Sequence, residues 1–146
     1  MGLLVADGYQ YNRAHSLGGI FAVREGRPEI RWLDRQPIAP DEHFDQAVQA
    51  FPVYASRGVI PPLREHEERA PRTVIAETES GDFVWLISPI NLFRTTELAQ
   101  WLSDSDLDVD NALNLDGGRS AGYWAGEDDQ IDSLVPLPAV IAVYAK

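Results

Sequence analysis

No cysteine occurs among the 146 residues, so disulfides and thiolate metal ligands are excluded and either redox compartment suits the chain. No apolar run is long enough to span a bilayer. The start carries neither the basic-then-apolar pattern of a signal peptide nor the Ser or Thr that a myristoylation site needs. Positive charge is scarce: 12 bases stand against 23 acids, a net charge of −11, with no dense Lys/Arg cluster. That argues against nucleic acid or an anionic membrane as a partner. The three histidines, His15, His43 and His66, show no zinc spacing and no neighbouring ligand pair. The aspartates at 104, 106, 108 and 110 begin like a calcium loop, but Val109 stands where the sharp turn needs Gly and Leu115 where a bidentate Glu belongs. A solvated acidic linker is the better reading.

What remains is an ordinary globular composition, 45% hydrophobic and 24% charged, in a length that fits one domain. Strands are expected over 2–5, 20–23, 29–33, 52–55 and 59–60, with turns at Asp7-Gly8, Glu25-Gly26-Arg27-Pro28 and Ser56-Arg57-Gly58. The clearest hairpin joins 72–78 to 83–87, and the second of these strands is apolar throughout, which places it near the middle of a sheet. Acids at Asp41 and Glu42, followed by Phe44, Ala47 and Val48, read as a short helix over 41–50. A second helix is expected over 95–103 from a Thr N-cap, Glu97, and apolar residues at 98, 101 and 102. Residues 9–16 read as loop, 61–71 as a mobile loop or one folding over the site, and 140–144 as a last strand.

The most informative stretch runs from 111 to 124, Asn-Ala-Leu-Asn-Leu-Asp-Gly-Gly-Arg-Ser-Ala-Gly-Tyr-Trp. Two short strands there flank a tight polar turn. Gly117 and Gly118 permit positive φ and close approach of a ligand to the backbone, whose amides can form an anion-binding concavity. By the two-residue period, Asn114 and Asp116 fall on one side, beside the guanidinium of Arg119. The pattern suits an oxygen-rich, anionic ligand, although Asp-Gly-Gly taken alone is also a common hairpin turn. Gly118-Arg119-Ser120-Ala121-Gly122 matches a nucleophile elbow in spelling, but a Tyr-Trp strand follows it where an elbow needs a helix.

Asn-Ala-Leu-Asn-Leu-Asp-Gly-Gly-x-Ser resembles the signature of the phosphodiester glycosidase family, of the uncovering-enzyme type. Weaker likenesses follow in the family's order: Gly2-Leu3-Leu4-Val5, Gly19-Ile20-Phe21, Gln49-Ala50-Phe51-Pro52, Arg72-Thr73-Val74-Ile75-Ala76 and Thr96-Glu97-Leu98-Ala99. Three departures stand out. Arg119 and Ala76 replace small residues usual in the family, and the family's upstream Asn-Gly or Asn-Ala segment with aromatics has no counterpart here.

These elements read as an α+β fold, a mixed and largely antiparallel sheet of hairpins with the two helices packed on it, and the resemblance implies one N-terminally incomplete domain over 1–146. It implies hydrolysis of a sugar-1-phosphodiester at the anomeric C–O bond, releasing the sugar and a phosphomonoester. Asp116 would be the base or cation stabiliser, and Arg72 and Arg119 would pair with the phosphate. The Gly117 and Gly118 amides would cradle it, and Asn114 and Ser120 would orient sugar hydroxyls. No cofactor is expected, with a divalent cation at Asp116 left open. An upstream signal peptide would make the protein extracytoplasmic. The expected partner is a small-molecule or glycan substrate, and an uncovered strand edge at Leu3 to Val5 invites homo-oligomers. The alternatives are a non-catalytic glycan or glycan-phosphate binding module and a purely structural domain. Asp116, Asn114 and Arg72 are expected to converge on one cleft.

Overall fold

A computed structural model describes residues 2–64, 68–137 and 139–144. Two antiparallel sheets pack face to face. The first has the order β2-β1-β5-β3-β4, from β1 (Leu4–Ala6), β2 (Tyr9–Asn12), β3 (Gly19–Arg24), β4 (Arg27–Trp32) and β5 (Gln46–Ala50). The second has the order β6-β9-β7-β8, from β6 (Val53–Ala55), β7 (Ala70–Thr78), β8 (Phe83–Phe93) and β9 (Val109–Gly117). The helix α1 (Thr95–Asp104) joins β8 to β9, and a small ribbon of β10 (Tyr123–Trp124) and β11 (Gln130–Ile131) follows.

Strand alternation builds three apolar layers from these sheets. Between them lie Ile30, Val53, Ile75 and Leu113, with Phe21, Trp32, Phe83 and Trp85 packed around. Ile75 and Leu113 are fully buried, and each such side chain contributes about 1.5–3 kcal/mol. The other face of the second sheet carries Tyr54, Val74, Ala76 and Ala112 against Leu98, Ala99 and Leu102 of α1. The other face of the first sheet sets Leu3, Val5, Ile20, Ala22 and Ala47 against Leu33, Ile38 and Phe44 from the segment 33–44.

The fold corrects several expectations. It is β-rich, and α1 is the α-helix among the described residues. The helix expected over 41–50 is absent: 46–50 is β5, at the centre of the first sheet between β1 and β3. Ala and Gln are neutral enough locally for ladder pairing on both sides to decide, and Gln49 fixes the register through its side chain. Its Oε1 accepts the Leu3 and His15 N–H groups, and its Nε2 donates to the His15 and Leu17 carbonyls. Residues 9–12, read as loop, form the edge strand β2, so the expected open edge at Leu3 to Val5 does not exist. β1 is flanked by β2 and β5, which removes the stated basis for oligomers there.

β8 is an edge strand rather than a central one. Its apolar character follows from cover on both faces, Phe83 and Trp85 against Phe21 and Leu86 under α1. Residues 140–144 form no strand, and Val140, Val143 and Tyr144 are exposed. α1 itself keeps its predicted period, burying Thr95, Leu98, Ala99 and Leu102, but is capped one residue earlier, where Glu97 Oε2 accepts the Arg94 N–H at 3.0 Å. In the loop over 61–71, Glu65, His66 and Glu67 lie outside the described residues, and Arg69 pairs with Glu97 at 2.6 Å on the surface.

Candidate functional site

β9 delivers the signature to one end of the second sheet. Leu113 anchors it in the core between the sheets, and Ala112 fixes its other face under α1. Across the ladder, Asn114 opposes Val74, Asp116 opposes Thr73 and Gly117 opposes Arg72. Leu115 is an extra residue between those rungs, a β-bulge. Directly opposed residues share a face and successive ones alternate. The bulge therefore sets Asn114 on the helix side with Val74, and Asp116 on the inter-sheet side with Thr73. The expected placement of Asn114 and Asp116 on one side is corrected for that reason.

Asn114 is 6% exposed and its amide is engaged within the chain. Nδ2 donates to the Phe51 carbonyl at 3.0 Å, and Oδ1 accepts the Tyr54 hydroxyl at 3.3 Å. Its backbone N–H donates to the Pro52 carbonyl at 3.0 Å. Tyr54 is fully buried, and burial pushes its hydroxyl up to about 12 against the opposing pull of the Arg72 charge. Tyr54 was not singled out from sequence. Its one signal was a hydroxyl-bearing side chain inside an otherwise apolar strand.

Arg72 is half-buried. Its Nε, like the Thr73 Oγ1, is buried without a hydrogen-bond partner among the described residues, and none of their ion pairs includes it. Buried donors without acceptors are rare and call for a ligand or a water. Gly117 is extended at φ −161°, so its backbone does not demand glycine. Space does: a Cβ there would lie 2.9 Å from the Pro71 carbonyl oxygen and 3.2 Å from Arg72 Nη1. Gly118, at φ +68°, does need glycine's freedom.

Asp116 is exposed, and its Oδ1 accepts the Gly117 N–H at 2.7 Å. Residues 118–120 form one 3-10 turn, in which the Ser120 hydroxyl donates to the Gly117 carbonyl at 3.0 Å. Arg119 is exposed, and its carbonyl accepts the Leu134 N–H at 2.7 Å. The Asp-Gly-Gly turn closes no hairpin, because β10 pairs with β11 and not with β9. Arg72, Asn114, Asp116, Gly117 and Gly118 thus gather at one sheet end. Clefts of about 180 and 510 Å³ lie elsewhere, lined by His15, Leu33 and Ile38 and by Arg24, Glu42 and His43 respectively. Among the described residues, no group of three or more His, Asp and Glu could hold a metal ion.

The profile of the family described as Phosphodiester glycosidase matches residues 1–144. The chain belongs to this family. A solved structure of the catalytic domain of zebrafish N-acetylglucosamine-1-phosphodiester alpha-N-acetylglucosaminidase, auto-inhibited by its pro-peptide, is similar with a TM-score of 0.61 and 17% identity. The likeness covers 84% of this chain and 47% of that one, so this phosphodiester glycosidase chain spans about half of its structural relative. A search of curated proteins returns no match. Within the family frame, the signature is the end of β9 and its following turn, and the likeness at 72–76 is the neighbouring strand β7. No helix among the described residues is long and apolar enough to cross a membrane.

Proposed function

We propose that this chain hydrolyses a sugar-1-phosphodiester, with the sugar and a phosphomonoester as products. The observation that carries the reading is Arg72, whose buried Nε has no partner among the described residues, lying against Gly117, one rung from the exposed Asp116, at the family signature. The anomeric C–O bond breaks with its electron pair leaving on the phosphate oxygen, and water adds to the anomeric carbon. A phosphate monoester leaves readily as an anion, so the demand for a general acid is small. Arg72 neutralises the charge that grows on the leaving oxygen, and Arg119 can reach the same group from the turn. Asp116 faces the cationic sugar carbon, either stabilising it or taking the proton of the attacking water. Gly117 and Gly118 let the ligand approach the backbone, and Ser120 lies beside them for the sugar hydroxyls.

The similar zebrafish structure is that of an N-acetylglucosamine-1-phosphodiester alpha-N-acetylglucosaminidase, which makes methyl N-acetylglucosamine 1-phosphate the first substrate to try. Release of free sugar by wild type, its loss in Asp116→Asn, and an unchanged circular dichroism spectrum are the expected results. Unchanged turnover in Asp116→Asn overturns the assigned role.

A second reading, a module that binds such ligands without cleaving them, draws support from the bulge that turns Asp116 away from the face of Arg72 and Asn114. Binding by wild type without hydrolysis, lost in Arg72→Gln, would favour it over the enzyme.

A further inference from the structure

We propose that Thr73 is the positioning residue for Asp116, its hydroxyl donating to that carboxylate once the phosphodiester is bound, an inference that rests on the functional reading just given. Along β7, Val74 and Ala76 pack under α1 and Ile75 lies between the sheets, so strand alternation sets the Thr73 side chain on the inter-sheet side with Ile75. On β9, Asp116 is the residue directly opposite Thr73, Asn114 is opposite Val74, and Leu115 is the extra residue between them. Without that bulge Leu115 would oppose Thr73, and Asp116 would oppose Arg72 on the helix side. The extra residue brings the carboxylate over to Thr73, a re-aiming that bulges perform beside active sites. Directly opposed residues carry Cβ atoms about 4.5–5.5 Å apart, close enough for their polar tips to hydrogen-bond.

The Thr73 Oγ1 is buried and has no hydrogen-bond partner among the described residues. A strand needs no hydroxyl at that place, since Val would fill the same volume without an unsatisfied donor. Across the rung, Asp116 Oδ1 accepts the Gly117 N–H at 2.7 Å, and Oδ2 has no partner among the described residues. A donor without an acceptor thus opposes an acceptor without a donor. Of the two, the exposed carboxylate is the one free to turn, because Thr is β-branched and stiff at χ1. A sugar seated at Asp116 displaces the water that hydrates the carboxylate. The Thr73 hydroxyl then supplies a donor in its place, which keeps the ionised form favoured and holds the carboxylate in one orientation. Thr73 keeps its own proton throughout and takes no part in bond cleavage.

Steady-state release of sugar from methyl N-acetylglucosamine 1-phosphate, measured on wild type, Thr73→Val and Thr73→Ser together with their melting temperatures, tests the assignment. Thr73→Val exchanges the hydroxyl for a methyl of like volume. It is expected to lower kcat about tenfold, the effect of one hydrogen bond to a charged group, with KM unchanged. Its melting temperature is expected at or above that of wild type, because the resting fold loses only an unpaired hydroxyl. Thr73→Ser keeps the hydroxyl and is expected to retain kcat. Wild-type kcat in Thr73→Val overturns the assignment and leaves the functional reading standing. An equal loss of kcat in Thr73→Ser also overturns it, since packing of the methyl would then be what matters. So does a Thr73→Val protein that melts well below wild type, because the hydroxyl would already serve the resting fold. If wild type releases no sugar, the assignment and the functional reading fall together.

Discussion

Arg72 and Gly117 face each other across the β7–β9 ladder, with the guanidinium Nη1 3.2 Å from where a Cβ at 117 would stand. Glycine is needed there for room, since the Pro71 carbonyl, which cannot move aside as a side chain tip can, would be 2.9 Å away. Gly117→Ala is therefore expected to cost about 1–3 kcal/mol in urea denaturation and to displace Arg72, lowering phosphate affinity. Gly118→Ala meets open space and pays only for its left-handed backbone, about 1–2 kcal/mol. Gly117→Ala with wild-type stability and phosphate affinity would refute the close approach.

The sequence made the hairpins legible because their turns carry local chemistry. Asp7-Gly8, Glu25-Gly26 and Arg57-Gly58 all adopt positive φ at both residues, as such dipeptides favour. The meeting of Arg72 with the Gly117 turn was also legible, from one strand opening where the other closes. The bulge at Leu115 was not, because an apolar residue in an apolar strand gives no sign that it lacks a partner. Residues 46–50 misled for a different reason: their local preference is weak, and two neighbouring strands distant in sequence decide their conformation. Tyr54 escaped notice because its role depends on Asn114, 60 residues away.

Tyr54 links the site to stability at high pH. Its hydroxyl is raised from 10.0 to about 12, so the neutral form is the one that the fold favours. The stability it contributes is fully present below pH 10 and is lost as the pH climbs through 12. Unfolding free energy is expected to fall across that window by up to about 3 kcal/mol, and to fall less in Tyr54→Phe. Tyr54→Phe should itself cost about 1 kcal/mol at neutral pH through the lost bond to Asn114. Identical alkaline profiles for the two proteins would contradict this account.

The segment 33–44, which covers the outer face of the first sheet, is pinned by Glu42. Its carboxylate accepts from Arg31 Nη1 and Nη2 at 2.9 and 2.7 Å, from Arg24 at 3.2 Å and from the Ala39 N–H at 3.2 Å. The Arg31 hydrogen bonds above all hold the Glu42 carboxyl below its usual range. A depressed acid stabilises the fold above the unfolded value of 4.5, and that contribution is lost as pH falls through the lower folded value. Glu42→Gln is expected to cost about 1 kcal/mol, since the pair is only partly buried and Glu29 still meets Arg31 at 2.6 Å. The acid limb of the stability profile should flatten in the variant. An unaltered acid limb would place the sensitivity elsewhere.

Arg72 offers the sharpest separation of function from stability. Among the described residues its charge has no carboxylate partner and its Nε has no acceptor, so none of them compensates this half-buried cation. Removing such a charge relieves desolvation and leaves no anion unpaired. Arg72→Met is therefore expected to melt at or above the wild-type temperature. Inorganic phosphate should raise the wild-type melting temperature, since a ligand at ten times its Kd stabilises by about 1.4 kcal/mol, and should leave Arg72→Met unmoved. A second readout is independent of any ligand: the Arg72 charge draws the Tyr54 hydroxyl downward, so in Arg72→Met that hydroxyl should titrate still higher than in wild type. A variant that is markedly less stable would mean that Arg72 holds the β7–β9 end together. Phosphate stabilisation that persists in Arg72→Met would move the anion site away from the signature altogether.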